Sequence, residues 1–128
     1  MTLTKTFSAL AVLLAGMTPA LAQDPTPVGT WQTTTGESRF AVSLCGDGTE
    51  LCAKLTWLRD DAKSPQNVAQ LNKFVVRHAK PVADNQWEGV VTYDGHSVDG
   101  SLTLVDQNRL SLRGCQFIAC QQVEFVRL

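Results

Sequence analysis

Four cysteines, two histidines and a few loop carboxylates are the side chains of this 128-residue sequence that bear on reactive chemistry. The cysteines form two tight pairs: Cys45 and Cys52 enclose Gly46 to Leu51, and Cys115 and Cys120 enclose Gln116 to Ala119. Such thiols either ligate zinc or oxidise to disulfides. Zinc sites usually take paired cysteines about two to four residues apart, whereas six and four residues separate the partners here. Four cysteines allow three disulfide connectivities, and spacing selects the one within each pair. Each pair brackets a turn between two alternating apolar runs, so an internal bond staples a hairpin whose strands lie close enough for the bridge. Loop closure gives each short ring about 2 to 2.5 kcal/mol of stabilisation.

His78 and His96 are the two histidines able to exchange protons near neutral pH, and neither sits in a nucleophile motif. Asp94, His96 and Asp99 are close in sequence, as metal ligands are, but Asp94 is accounted for by a turn and Asp99 by the glycine beside it. His78, between Arg77 and Lys80, reads as a solvated strand residue. Asp47, Glu50, Asp60 and Asp61 lack the spacing of a calcium loop and read as solubilising charge. The expectation is therefore a non-enzymatic protein with no catalytic residue, no cofactor and no metal.

The compartment follows from the first residues. Lys5, an apolar stretch from Phe7 to Met17, Pro19 and the small-residue end at Ala20 and Ala22 have the form of an export signal, residues 1–22, cleaved before Gln23. The stretch is too short for a membrane-spanning helix. No arginine pair precedes it and no cysteine follows it, so the general secretory route and an unlipidated product are expected. A periplasmic or secreted location is also where disulfides persist. Cleavage removes Lys5, leaving one fewer than the 11 basic residues of the whole chain against 12 acidic ones. Without a basic cluster, that balance gives no electrostatic case for nucleic acid or an anionic membrane.

The elements that must position these groups are strands. Asp24 to Pro27 form part of an extended lead-in, residues 23–27, since proline restricts itself and its neighbour. From Val28 the apolar period is two, giving one domain over 28–128. Strands are predicted near 28–34, 38–44, 51–58, 73–80, 86–93, 96–105, 109–114 and 120–127. Six of the seven connections are short and carry turn residues, Asp94 with Gly95 being the strongest hairpin signal. The seventh, Arg59 to Asn72, is long, and Ser64 with Pro65 is expected to cap a helical turn within it. Asp99 with Gly100 reads as a bulge or bend inside a strand. Sequential antiparallel strands are best closed as an eight-stranded up-and-down barrel, with a two-sheet sandwich as the alternative fold.

Two resemblances follow. Gly29 and Trp31 on the first strand, with Arg127 on the last, resemble the lipocalin arrangement, in which the tryptophan plugs one barrel end and the arginine lies across it. More closely, Gly29, Trp31, Cys45, Leu51, Cys52, Asn67, Trp87, Gly89, Tyr93, Arg113, Gly114, Cys115, Cys120, Phe125 and Arg127 resemble the exported bacterial family known as domain of unknown function 2147. The resemblance implies a lipocalin-like barrel of the bacterial envelope and assigns it no reaction. Ala53, Val90, His96 and Phe125 stand where relatives usually differ.

Two binding roles are compatible with such a barrel. In one, Phe40, Leu55, Trp57, Val91, Tyr93 and Leu102 line a cavity for a small apolar ligand. An eight-stranded barrel is also narrow enough for its own side chains to fill. In the other, the barrel is a platform for an envelope protein. Small exported inhibitors of metalloproteases are similar in outline, and Gln23 to Pro27 would then act as the inserting segment. Two structural expectations accompany these readings. Trp57, in phase with Leu51, Ala53 and Leu55, faces inward, and Arg127 stacks on Trp31 to close one end.

Overall fold

The computed structural model describes residues 25–128, with Gly16 besides. Apart from Gly16, the leader expected over 1–22 lies outside the described residues, as do the first two residues of the lead-in.

Alternation produces eight strands: β1 (Gly29–Thr33), β2 (Ser38–Cys45), β3 (Glu50–Leu58), β4 (Phe74–Ala83), β5 (Gln86–Tyr93), β6 (His96–Asp106), β7 (Arg109–Gln116) and β8 (Ala119–Arg127). Each pairs antiparallel with the next, and β8 pairs back onto β1 to close a barrel. Trp31 lies opposite Arg127 and Thr33 opposite Phe125 at that seam, so the chain forms a barrel rather than a sandwich. Closure removes the exposed edges that a sheet of this length otherwise presents.

The up-and-down path sorts the connections between two ends. The chain entry, the Cys45–Cys52 loop and the turns at residues 84–85 and 107–108 share one end, called the floor. Residues 34–37, the long connection and the turns at 94–95 and 117–118 share the other, the mouth. The long connection has a 3-10 turn (Asp60–Ala62) and a short helix α1 (Pro65–Ala69). Pro65 opens α1, and the Ser64 hydroxyl accepts the Asn67 N–H at 3.2 Å, satisfying one of the free donors of a helix start. The chain then returns through Asn72 and Lys73, which bond to the backbone of Leu55. Among the described residues no helix is long and apolar enough to cross a membrane.

Both expected disulfides are present, Cys45–Cys52 with Cα atoms 5.9 Å apart and Cys115–Cys120 at 4.0 Å. Only the second joins directly opposed residues. Cys45 faces Glu50 and Cys52 faces Ser43, so the first bridge runs diagonally across its hairpin.

The inward expectation for Trp57 is corrected. Phe40 pairs with Leu55 but Arg39 pairs with Trp57, leaving Thr56 as an extra residue in β3. One inserted residue exchanges the two faces of everything beyond it. Leu58 therefore points inward, with 3% of its surface exposed. Trp57 lies on the outer face, half-buried beneath the Arg39 guanidinium, 4.2 Å from its ring centroid. The bulge or bend expected at Gly100 is absent, since β6 pairs through it in unbroken register on both sides.

The interior is uneven. Trp31, Leu51, Leu55 and Leu110 are fully buried, and Trp87 and Leu104 complete a packed floor half. Toward the mouth, Gly89, Gly100 and Gly114 stand side by side across β5, β6 and β7. A Cβ on Gly100 would lie 2.6 Å from Val91 Cγ2, and one on Gly89 2.9 Å from the Ala79 Cα. Ala79 and Val91 thus occupy the space beside Gly89 and Gly100, and glycine at these two positions permits that close approach.

Candidate functional site

At the floor, Trp31 is wholly buried and its indole N–H donates to the Pro27 carbonyl at 2.8 Å. The Arg127 guanidinium carbon lies 4.3 Å from the Trp31 ring centroid. Its Nε donates to the Gln107 carbonyl at 2.7 Å, its Nη1 to that of Val28 at 2.8 Å, and its Nη2 to that of Thr26. One side chain thus ties the lead-in, the start of β1 and the β6–β7 turn into a plug. Gly29, at φ +148°, is required there, because a Cβ would come within 2.6 Å of Nη1. Pro27 is buried under the plug, so the described part of the lead-in lies against the floor instead of projecting as an inserting segment would.

Above the plug is a cavity of about 570 Å³. Trp31, Phe40, Val42, Leu102, Leu110 and Phe125 line its lower part, with Phe40 and Phe125 edge to face at 5.5 Å. Gln116, Gln121, Asn67, Tyr93 and Ser38 place hydrogen-bonding groups nearer the mouth, where the Glu37 carboxylate also lines the cavity. Val123 points into this space from β8 yet is 40% exposed, so its wall is solvent-accessible. The α1 connection crosses the mouth: the Tyr93 hydroxyl donates to Asn67 Oδ1, and Asn67 Nδ2 donates to the Ala62 carbonyl at 2.8 Å. Burial, and secondarily the carboxylate of Asp94, pushes the Tyr93 phenol above its ordinary range, which keeps it a neutral donor.

Of the six residues expected to line a cavity, Phe40, Val91, Tyr93 and Leu102 do so. Leu55 does not: it is packed into the core beside the bulge, where the returning chain bonds to its backbone. Trp57 lies outside, for the reason given above. The other lining residues were not anticipated, among them Val98, Gly114, Gln116, Gln121 and Val123. Extending the phase of Leu110 and Leu112 to residues 114 and 116 would have identified the β7 members.

The polar candidates do not gather at the cavity. Glu50 Oε2 lies 2.9 Å from His78 Nδ1, Asp61 pairs with Arg59 at 2.6 Å, and Asp60 pairs with Lys63 at 3.0 Å. Asp47 accepts from Thr49 within its own loop. His78 lies beside Cys45 and Cys52, but both sulfurs are held in the disulfide and offer no thiolate. His96, Asp94 and Asp99 are exposed around the mouth-side β5–β6 hairpin and none lines the cavity.

Among solved structures, the chain is similar to a redesigned β barrel at 13% identity, with a TM-score of 0.50 over 79% of this chain and 90% of that one. That likeness concerns the fold alone. None of the curated proteins compared matches the chain. Residues 29–127, from the start of β1 to the end of β8, match the model of a family described as "Uncharacterized protein conserved in bacteria (DUF2147)", and the chain belongs to that family.

Proposed function

We propose that this protein is an exported, non-enzymatic binding barrel that holds a small, largely apolar ligand in its mouth-side cavity. The observation that carries the reading is a cavity of about 570 Å³, plugged at the floor by Trp31 and Arg127 and apolar in its depth. Its volume lies in the range of small-molecule sites, roughly 300 to 1,000 Å³, which are mostly apolar with a few orienting polar groups. Gln116, Gln121, Asn67, Tyr93 and the Glu37 carboxylate supply that polar fraction and suit a ligand with an apolar body and a polar end that offers hydrogen-bond donors and carries no negative charge. Neither histidine reaches the cavity, which supports binding over catalysis. The leader-like residues 1–22 and two hairpin disulfides support an oxidising compartment outside the cytoplasm.

The test is titration of the purified barrel with an apolar naphthylamine fluorophore. Wild type is expected to bind it saturably, and Val123→Trp, which projects a large ring into the free space, to weaken binding by about tenfold or more through steric exclusion. Absence of saturable binding, or equal binding by both proteins, refutes the reading.

A further inference from the structure

The hairpin between β7 and β8 departs from the turn chemistry used elsewhere in the barrel. The other two-residue turns carry Asp84 with Asn85, Asp94 with Gly95, and Gln107 with Asn108. At 117–118 the chain has Phe117 and Ile118, 96% and 101% exposed. Phe117 has φ +56°, a conformation that glycine or asparagine adopts readily and a bulky side chain adopts at steric cost. The tip is also rigidly mounted, because the directly opposed Cys115–Cys120 bridge sits at its base. Gln116 and Ala119, the residues flanking the tip, both line the cavity. A fully exposed apolar pair is thus held on the rim of the opening.

We propose that Phe117 and Ile118 insert into the acyl region of a lipid bilayer and seat the mouth of the barrel on a membrane; as a route by which an apolar ligand enters, this rests on the function proposed above. A bilayer fits the tip better than a protein does. Two side chains offer at most roughly 400 Å² of apolar surface, about half of the 800 Å² per partner that a stable protein interface buries. A narrow convex tip nevertheless places all of that area in lipid. The mouth charges have an acidic surplus: Arg59 pairs with Asp61 and Lys63 with Asp60, while Glu37 and Asp94 are exposed nearby and Asp99 lies beside Phe117. Anchoring is therefore apolar, not an attraction to anionic headgroups.

Flotation with vesicles tests this. Wild type is expected to float with phosphatidylcholine vesicles as well as with vesicles of phosphatidylethanolamine and phosphatidylglycerol, at low and at high salt. Phe117→Gly with Ile118→Asn suits the turn and keeps the fold; it is expected to lose vesicle binding by about tenfold or more while retaining wild-type binding of the naphthylamine fluorophore in solution. Phe117→Trp is expected to shift its emission to the blue on vesicles and to be quenched by bromines on the acyl chains. Tip-dependent flotation without fluorophore binding would sustain the membrane seat while removing the cavity reading. The proposal is overturned if wild type stays off vesicles, if the double variant floats equally well, or if binding follows phosphatidylglycerol and vanishes with salt. It is likewise overturned if the tip is needed to capture a protein partner and has no effect on vesicles.

Discussion

Arg127→Ala is the most searching perturbation of the barrel, because one side chain joins both ends of the domain. Arg127 makes three hydrogen bonds to carbonyls and stacks at 4.3 Å over a wholly buried tryptophan. The stacking contributes about 0.5 to 2 kcal/mol. A typical hydrogen bond contributes about 0.5 to 1.5 kcal/mol net, and the lower part of that range applies here, since water reaches the floor carbonyls once the side chain is gone. The combined loss is about 2 to 4 kcal/mol, which lowers the Tm of a domain this size by roughly 10 to 20 °C. Arg127→Lys keeps the cation but loses the planar fork and is expected to recover about half of that loss. Urea denaturation followed by circular dichroism gives the free energies. A double-mutant cycle with Trp31→Phe should show coupling above about 0.5 kcal/mol. A loss below about 0.5 kcal/mol for Arg127→Ala, or zero coupling, refutes the account of the floor as a plug.

Replacing Cys45 and Cys52 together by serine is expected to cost about 2 kcal/mol while leaving the far-ultraviolet spectrum unchanged, because strand pairing closes the barrel independently of the bridge; loss of the β-sheet spectrum contradicts this. With Trp31 and Trp87 replaced by phenylalanine, Trp57 is expected to be quenched by acrylamide more readily after Arg39→Ala, which removes its cover; an unchanged quenching constant returns Trp57 to the interior. Tyr93→Phe should cost about 1 kcal/mol by breaking the bond to Asn67. It should also flatten the alkaline limb of the stability curve. The folded state raises the Tyr93 phenol above 10.0, so this contribution is complete below that pH and is lost as pH rises through the folded value. Equal alkaline destabilisation of wild type and variant contradicts the assignment.

Strand positions were legible because a half-buried strand imposes a period of two on its residues, and here the predicted and observed strands differ by at most three residues at any boundary. Closure was legible because a tryptophan on the first strand and an arginine on the last have a shared use only if those strands meet. The bulge at Thr56 was not. An extra residue in β3 changes no composition, and Leu51, Ala53, Leu55 and Trp57 keep a perfect alternation that the backbone breaks. For the same reason the Cys45–Cys52 bridge turned out diagonal, since register is a property of two strands and not of the spacing along one. The cavity depended on still longer-range information. Its lining residues, such as Phe40, Val91, Gly114 and Val123, are scattered in sequence and face one another only when the strands are aligned and the barrel is closed. Whether the barrel was filled or hollow was therefore undetermined by any local pattern. The β7–β8 loop was expected to carry turn residues like the other short connections, but Gln116 to Ala119 contain none, and Phe117 and Ile118 stand fully exposed at its tip.

The central claim is that the mouth-side cavity holds a small apolar molecule, and native mass spectrometry of the protein purified without detergent from its own cells tests it most directly. The account predicts a noncovalent adduct of a few hundred daltons on wild type, released on collisional activation and absent from Val123→Trp prepared in the same way. A wild-type spectrum containing the bare protein alone, or an adduct retained equally by Val123→Trp, would contradict it.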